Sequence, residues 1–252
     1  MKVPKSHPRY ESLVLREKVK DCLKEGIISE VGIAAHGRGE AFDYFIGETT
    51  TEEANKAIKA AAIILCRAAN PVISVNGNIA CLVPNEIVEL SKIVPLKIEI
   101  NLFYRTYERE TKIKKRLEQH GATNILGVGE NANKSIPGLD SLRGKVSNEG
   151  IFSSDAVIVP LEDGDRALAL KKMGKKIIAI DLNPLSRTSL CADITIVDNV
   201  VRAIPKLIEE IKKIKKTDNV DELIFDNGDN IKRSIQIMKD NLIHWEEKMS
   251  KR

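Results

Sequence analysis

The sequence predicts an α/β protein: a parallel sheet flanked by helices, with helical additions at its N-terminal and C-terminal ends. Three observations lead there. Short apolar runs (PVISV, LKIEIN, NILGV, AVIVP, KIIAID and ITIV) recur through the middle of the chain. Amphipathic segments of helical period separate them, as strands buried on both faces and joined by covering helices require. The chain has 252 residues, 42% of them hydrophobic, enough for one large domain or a domain with appendages.

The elements follow in order. Leu13, Leu15, Val19 and Leu23 recur near helical spacing over residues 10–25, and Gly26 supplies a stop. Gly37 and Gly39 flank Arg38 just before a helix expected over 40–46. Thr50 and Glu53 have the spacing of a capping box and predict an alanine-rich helix to about residue 69. Strands are then expected at 71–75, 96–101, 124–128, 156–160, 176–181 and 194–197. The intervening helices fall at 83–92, 106–119, 165–173 and 200–216, with an NGN turn at 76–78. A last helix over 230–248 carries Ile231, Ile235, Met238, Leu242 and Trp245 on one stripe, which needs either its own domain or a second subunit to cover it. The expected division is 1–70 as an N-terminal helical segment, 71–216 as the sheet core and 217–252 as a C-terminal helical extension.

Composition narrows the function. Lys and Arg number 40 against 36 Asp and Glu, a mild excess that suits anionic substrates without demanding nucleic acid. Aromatics are 4% of the chain, and no basic–aromatic stripe for stacking bases is present. No apolar run reaches the roughly 18 residues of a membrane helix. The first sixteen residues lack a signal-peptide core, so a cytoplasmic protein is expected. Cys22, Cys66, Cys81 and Cys191 form no CxxC pair and are expected as reduced, buried small hydrophobes.

Candidate chemistry clusters where strands end, since open parallel sheets bind ligands at their carboxyl edge. In HGRGE, glycines beside Arg38 at a helix start would bring backbone close to an anion, and Arg38 offers a forked donor. His36 is either a base or phosphate donor, or a structural histidine. Gly77 and Asn78 allow close contact with a ligand, or simply form a turn. Asn101, Arg105 and Lys134 are placed to meet an anion, or to face solvent. Asp163 and Asp165 either hold Mg²⁺ through water or cap a helix. Asp181 can accept from a ribose hydroxyl, and Arg187 and Thr188 can donate to phosphate. Asn199 opens the last crossover helix, as a nucleotide contact or an N-cap. Neither GxGxxG nor GxxxxGK[ST] occurs. The residues alone therefore imply an α/β protein that binds a phosphorylated, nucleotide-like ligand.

Longer motifs say more. VPKSHPRYESLVLREK, IAAHGRGEAFDYFIGE, SVNGN, INLFYRT and VIVPLEDGDRA occur in this order, and together they resemble the archaeal phosphopantothenate synthetases, or 4-phosphopantoate–β-alanine ligases. The resemblance runs from residue 4 to about residue 205. It implies a Rossmann-like sheet domain with added helices, a homodimer, and ATP contacts at Arg16, Arg38, Asp181, Leu182, Asn183, Arg187, Thr188, Asn199 and Val200. Contacts to phosphopantoate are assigned by position at strand ends, to Gly77, Asn78, Asn101, Arg105 and Lys134, with Arg38, His36 and Lys134 as the catalytic set.

The implied reaction transfers AMP to the carboxylate of 4-phosphopantoate, and the amine of β-alanine then displaces AMP. Bringing two polyanions together needs cationic donors, for which Arg16, Arg38 and Arg187 are the candidates, and Mg²⁺ at the α-phosphate, whose protein ligands the sequence does not name. Two other readings differ in class: a nucleotide-dependent oxidoreductase, against which the missing GxGxxG counts, and a non-catalytic nucleotide binder, which would show no turnover.

Overall fold

The computed structural model describes residues 4–7, 9–161, 163–217 and 224–250. Three helices, α1 (Tyr10–Lys24), α2 (Glu30–Phe45) and α3 (Glu52–Arg67), precede the first strand, β1 (Pro71–Val75). Helices α4 (Gly77–Leu82) and α5 (Pro84–Ile93) lead to β2 (Lys97–Ile100), and α6 (Tyr107–Gln119) follows. A small antiparallel ribbon, β3 (Lys134–Ser135) with β4 (Lys145–Val146), lies within the long connection to β5 (Ala156–Pro160). Then come α7 (Gly164–Lys172), β6 (Lys176–Ile180), α8 (Arg187–Cys191), β7 (Ile194–Ile196), α9 (Val200–Thr217) and α10 (Asn227–Ser250).

Five strands pair in parallel in the order β2-β1-β5-β6-β7. Their alternate residues feed two cores. Ile73, Val75, Ile98, Ile100, Ile158, Ile178 and Ile180 pack with α3, α4, α5, α6 and α9. Val72, Val157, Val159, Ile177 and Ala179 face the other way, onto α7 and the ribbon residues Ile136 and Val146. Because both faces are covered, the strands read as continuous apolar runs. Among the described residues no helix is long and apolar enough to cross a membrane.

The expected third strand, 124–128, is absent. It meets the sheet through one parallel bridge, Glu99 to Leu126. Asn124 (φ +54°) and Gly127 (φ +81°) turn the backbone out of the extended region on either side, so no ladder grows. Three local readings also change. HGRGE does not open a helix but lies inside α2, which Ser29 caps by accepting from the Gly32 N–H. The cap of α3 is Thr51, accepting from Ala54, whereas Thr50 turns away to donate to Asp198 (2.7 Å). The NGN turn is a helix start, with Asn76 capping α4 and accepting from Ile79.

Cys22 and Cys81 form a disulfide joining α1 to α4, contrary to the expectation of four reduced cysteines, because packing α1 on α4 brings their Cα atoms to 6.2 Å. Cys66 and Cys191 are free and half-buried. On α10 the stripe divides. Ile231 and Met238 are buried against the body of the protein, and Leu242, Ile243 and Trp245 are exposed.

Candidate active site at the carboxyl edge of the sheet

The strand order reverses between β1 and β5, the switch point at which an open α/β sheet leaves a crevice outside its carboxyl ends. Helix α2 lies across that edge. Successive turns of one face meet successive strand ends: Gly32 and Ala35 beside Asn76–Asn78 after β1, Ala35 beside Leu161 after β5, Gly39 beside Leu182 after β6, and His36 and Glu40 beside Asn199 after β7. Small residues make the seating possible. A Cβ on Gly32 would run into the Asn78 side chain, and one on Gly77 would collide with the Ile27 carbonyl.

Three adjoining hollows result. The first, about 330 Å³, lies under the start of α2 and is lined by Val31, Asn78, Leu102, Phe103, Arg109 and Arg143, among others. It shares Ala35 and Leu161 with a narrow cleft at the ends of β6 and β7, where Leu182, Asn199 and Val200 lie. That cleft shares His36, Glu40 and Asn199 with an outer cavity of about 400 Å³ bounded by α1 and α9.

The first hollow is apolar-walled with two guanidinium groups. Arg109, on α6, donates to the carbonyls of Tyr104 (2.5 Å) and Ile27 (3.3 Å). Arg143 stands over the Phe103 ring at 5.8 Å. Burial, with the nearby Arg166, pushes its guanidinium down to about 9, still charged at neutral pH. Both arginines were missed in the sequence, because neither follows a strand.

Several sequence candidates instead build the frame that presents Arg143. Asn101 is fully buried and donates to the carbonyls of Arg143 (3.1 Å) and Lys145 (3.2 Å). Arg105 donates to Lys145 O (2.8 Å) and Gly127 O (2.6 Å) and pairs with buried Glu110. Glu99, also buried, accepts from the Ser147 and Ile151 N–H groups (2.9 and 2.6 Å), and burial holds its carboxyl above the usual range. Lys134 is exposed on β3 over the Phe152 ring and lies away from the hollow. Gly77 and Asn78 do line it, and Asn78 donates to the Gly32 carbonyl (2.9 Å).

Of the positions that the resemblance assigns to a nucleotide, Leu182, Asn199 and Val200 line the cleft. Asp181 Oδ1 accepts from the Asn183 N–H (2.9 Å) and Oδ2 from Ser186 (2.6 Å), closing the turn after β6. Burial raises its carboxyl above the usual range against the pull of these bonds and of Arg38, which lies on the exposed side of α2. Arg187 is exposed and ion-paired with Asp165, and Thr188 is buried. Asn199 Nδ2 donates to Asp43 (2.9 Å), and Arg202 bridges Asp43 (2.5 Å) to Asp198 (2.6 Å), locking α2 to the start of α9.

Arg16 grips Glu40 with Nε 2.9 Å from both carboxylate oxygens. Burial holds His36 below the ordinary imidazole range; Glu40 and Asp43 pull it up and Arg16 pulls it down, without reversing the shift. Asp163 caps α7 by accepting from Asp165 (3.0 Å), the capping alternative for this residue. Among the described residues no cluster of three acidic, His or Cys side chains could hold a metal ion.

Comparison with known proteins decides between the classes that such a cleft could serve. Residues 53–241 match the phosphopantothenate/pantothenate synthetase family. The chain belongs to that family. A relative from Thermococcus onnurineus, named 4-phosphopantoate–β-alanine ligase, is 49% identical over 257 residues, covering 100% of this chain and 95% of the relative. Proteins with the same name from Thermococcus kodakarensis (48% over 255 residues; 99% and 94% covered) and Methanospirillum hungatei (52% over 205 residues; 81% and 83% covered) are similar to it as well.

Proposed function

We propose that the chain is an ATP-dependent ligase that joins 4-phosphopantoate to β-alanine, giving 4′-phosphopantothenate, AMP and diphosphate on the route to coenzyme A. The observation that carries the reading is the adjacency of an arginine-bearing, apolar-walled hollow to a cleft at the ends of β6 and β7, the two meeting at Ala35 and Leu161. A branched acid with a phosphate at one end fits the first: Val31, Leu102 and Leu161 face its methyl groups, and Arg109 and Arg143 its phosphate. ATP occupies the outer cavity of about 400 Å³ and reaches into the narrow cleft, which alone has only about 20 Å³, at Leu182, Asn199 and Val200, with Asp181, Asn183 and Thr188 in the adjoining turn and Arg16, Arg38 and Arg187 around the phosphates.

In the first step the carboxylate oxygen attacks the α-phosphorus, and diphosphate leaves with the bonding electron pair. The arginines stabilise the charge that gathers there. Arg16 and Arg187 are held in reserve by Glu40 and Asp165, so each exchanges a carboxylate for a phosphate when ATP binds. Mg²⁺ comes with the triphosphate; Asp163 is engaged as the cap of α7, whereas Asp165 is released when Arg187 turns to the phosphates. In the second step the amine of β-alanine attacks the carbonyl carbon, a C–N bond forms, and AMP leaves with the electrons of the broken C–O bond. His36, neutral at pH 7, takes the proton that the ammonium must lose before it attacks.

Two copies of the chain associate through the exposed end of α10, where Leu242 and Ile243 need cover. Incubating the purified protein with ATP, Mg²⁺, 4-phosphopantoate and β-alanine tests the assignment. Formation of phosphopantothenate with one AMP per product supports it. Turnover of unphosphorylated pantoate at an equal kcat/KM would contradict the role given to Arg109 and Arg143.

A further inference from the structure

We propose that Glu40 changes partner during the reaction, from Arg16 in the resting enzyme to the ammonium group of β-alanine once the triphosphate has taken Arg16. The inference rests on the functional reading above and assigns the amine-binding residue that reading leaves open.

The geometry sets up the exchange. The Glu40 side chain is only 14% exposed, whereas Arg16 is 43% exposed on α1. Arg16 Nη2 lies 2.8 Å from Glu40 Oε1 and Nε 2.9 Å from both oxygens, so the guanidinium is committed to this carboxylate. The other neighbours hold it less closely. Tyr44 Oη donates at 3.4 Å, and Arg9 Nη2 is 3.7 Å away with its short bond directed to Tyr44 Oη (2.7 Å). An arriving triphosphate offers Arg16 more negative charge than one carboxylate does. Glu40 is then left, mostly enclosed, without its main cation, a state that favours capture of another.

The reaction brings that cation in. β-Alanine carries an ammonium at neutral pH, and Glu40 lines both the nucleotide cleft and the outer cavity through which a small molecule can reach it. His36 precedes Glu40 by four residues on the same face of α2 and lines the same two spaces. The ammonium held by Glu40 gives one proton to His36 and becomes an amine. Its lone pair forms the C–N bond as the C–O bond to AMP breaks, and the second proton passes to solvent. The exchange also orders the substrates, because Glu40 accepts the amine only after ATP has drawn Arg16 away.

Two variants make opposite predictions. E40Q keeps the shape and removes the charge, so it releases Arg16. The KM for ATP should fall, read by diphosphate exchange in the presence of phosphopantoate, while the KM for β-alanine rises on the order of 30-fold, as loss of a charge-assisted hydrogen bond predicts. R16Q leaves Glu40 in place and should raise the KM for ATP without raising that for β-alanine. Thermal melts establish that each variant is folded, and should E40Q not fold, a β-alanine KM that rises in R16Q as much as the ATP KM does would by itself overturn the exchange. A rise in the ATP KM of E40Q would show that Glu40 only positions Arg16. A rise in its Mg²⁺ requirement would make it a metal ligand instead. An unchanged β-alanine KM would remove it from the amine site. Each of these three results overturns the proposal. Absence of ligase turnover in the unmutated protein would instead overturn the functional reading beneath it, and the inference with it.

Discussion

Replacing Asp43 by alanine should both loosen the protein and weaken its hold on ATP. Asp43 is buried on α2 and accepts from Arg202 Nη2 (2.5 Å), Arg202 Nη1 (3.2 Å) and Asn199 Nδ2 (2.9 Å). These bonds tie the helix that floors the cleft to the first turn of α9. Arg202 keeps Asp198 (2.6 Å) after the change, so its charge is not stranded, and the loss is smaller than for a buried ion left alone. Three charge-assisted bonds less that compensation gives about 2–4 kcal/mol. For a chain of this size the melting temperature should fall by roughly 4–15 °C. With α2 free to shift from α9, the KM for ATP should rise about tenfold and that for phosphopantoate much less. Adding Arg202→Met provides a double-mutant cycle, with a coupling energy of about 1–3 kcal/mol expected. A melt within about 1 °C of the unmutated protein, with an unchanged ATP KM, would refute the role given to this cluster.

Three further outcomes follow. Arg143→Met should raise the KM for 4-phosphopantoate by about 30- to 1000-fold and leave that for ATP nearly unchanged, since a phosphate docked on the remaining Arg109 is only half-neutralised. The rate with β-alanine should hold through the pH range in which an exposed histidine takes up a proton and fall only below it, because burial keeps His36 neutral longer and protonated His36 cannot take a second proton; His36→Gln should abolish that acid limb. Reducing the Cys22–Cys81 bridge, which spans 59 residues of sequence, should remove about 4 kcal/mol of stability, seen as a lower midpoint in denaturant titration with dithiothreitol.

Much of the fold was legible because its signals are local. Apolar runs such as AVIVP are strands wherever both faces of a sheet are covered, and five of the six behave so. The sixth, NILGV, fails because its glycine adopts a positive φ, a choice imposed by the close approach of the Ile100 carbonyl, a tertiary neighbour. HGRGE was misread as well. Glycines usually mark a helix end, but Gly37 and Gly39 lie within α2 where a Cβ would meet nothing at Gly37 and only an ordinary contact with Leu182 (3.5 Å) at Gly39, so neither marks a turn.

Strand-end position did lead to residues that line the candidate hollows, as with Asn78 and Asn199. The site was not legible where side chains arrive from elsewhere. Arg109 comes from the body of α6, and Arg143 from a loop held by Glu99, Asn101 and Arg105. Strand-end logic therefore selected the frame, Asn101 and Arg105, in place of the arginine it supports. The disulfide is a matter of α1 packing on α4, which no cysteine spacing encodes.

The central claim is that the carboxylate of 4-phosphopantoate is activated by AMP at the edge crossed by α2. The most direct measurement supplies ATP, Mg²⁺ and 4-phosphopantoate without β-alanine, together with labelled diphosphate. The account predicts that label enters ATP, that exchange stops when phosphopantoate is withheld, and that adding β-alanine yields AMP in proportion to product. ADP and inorganic phosphate as stoichiometric products, with no label in ATP, would contradict it.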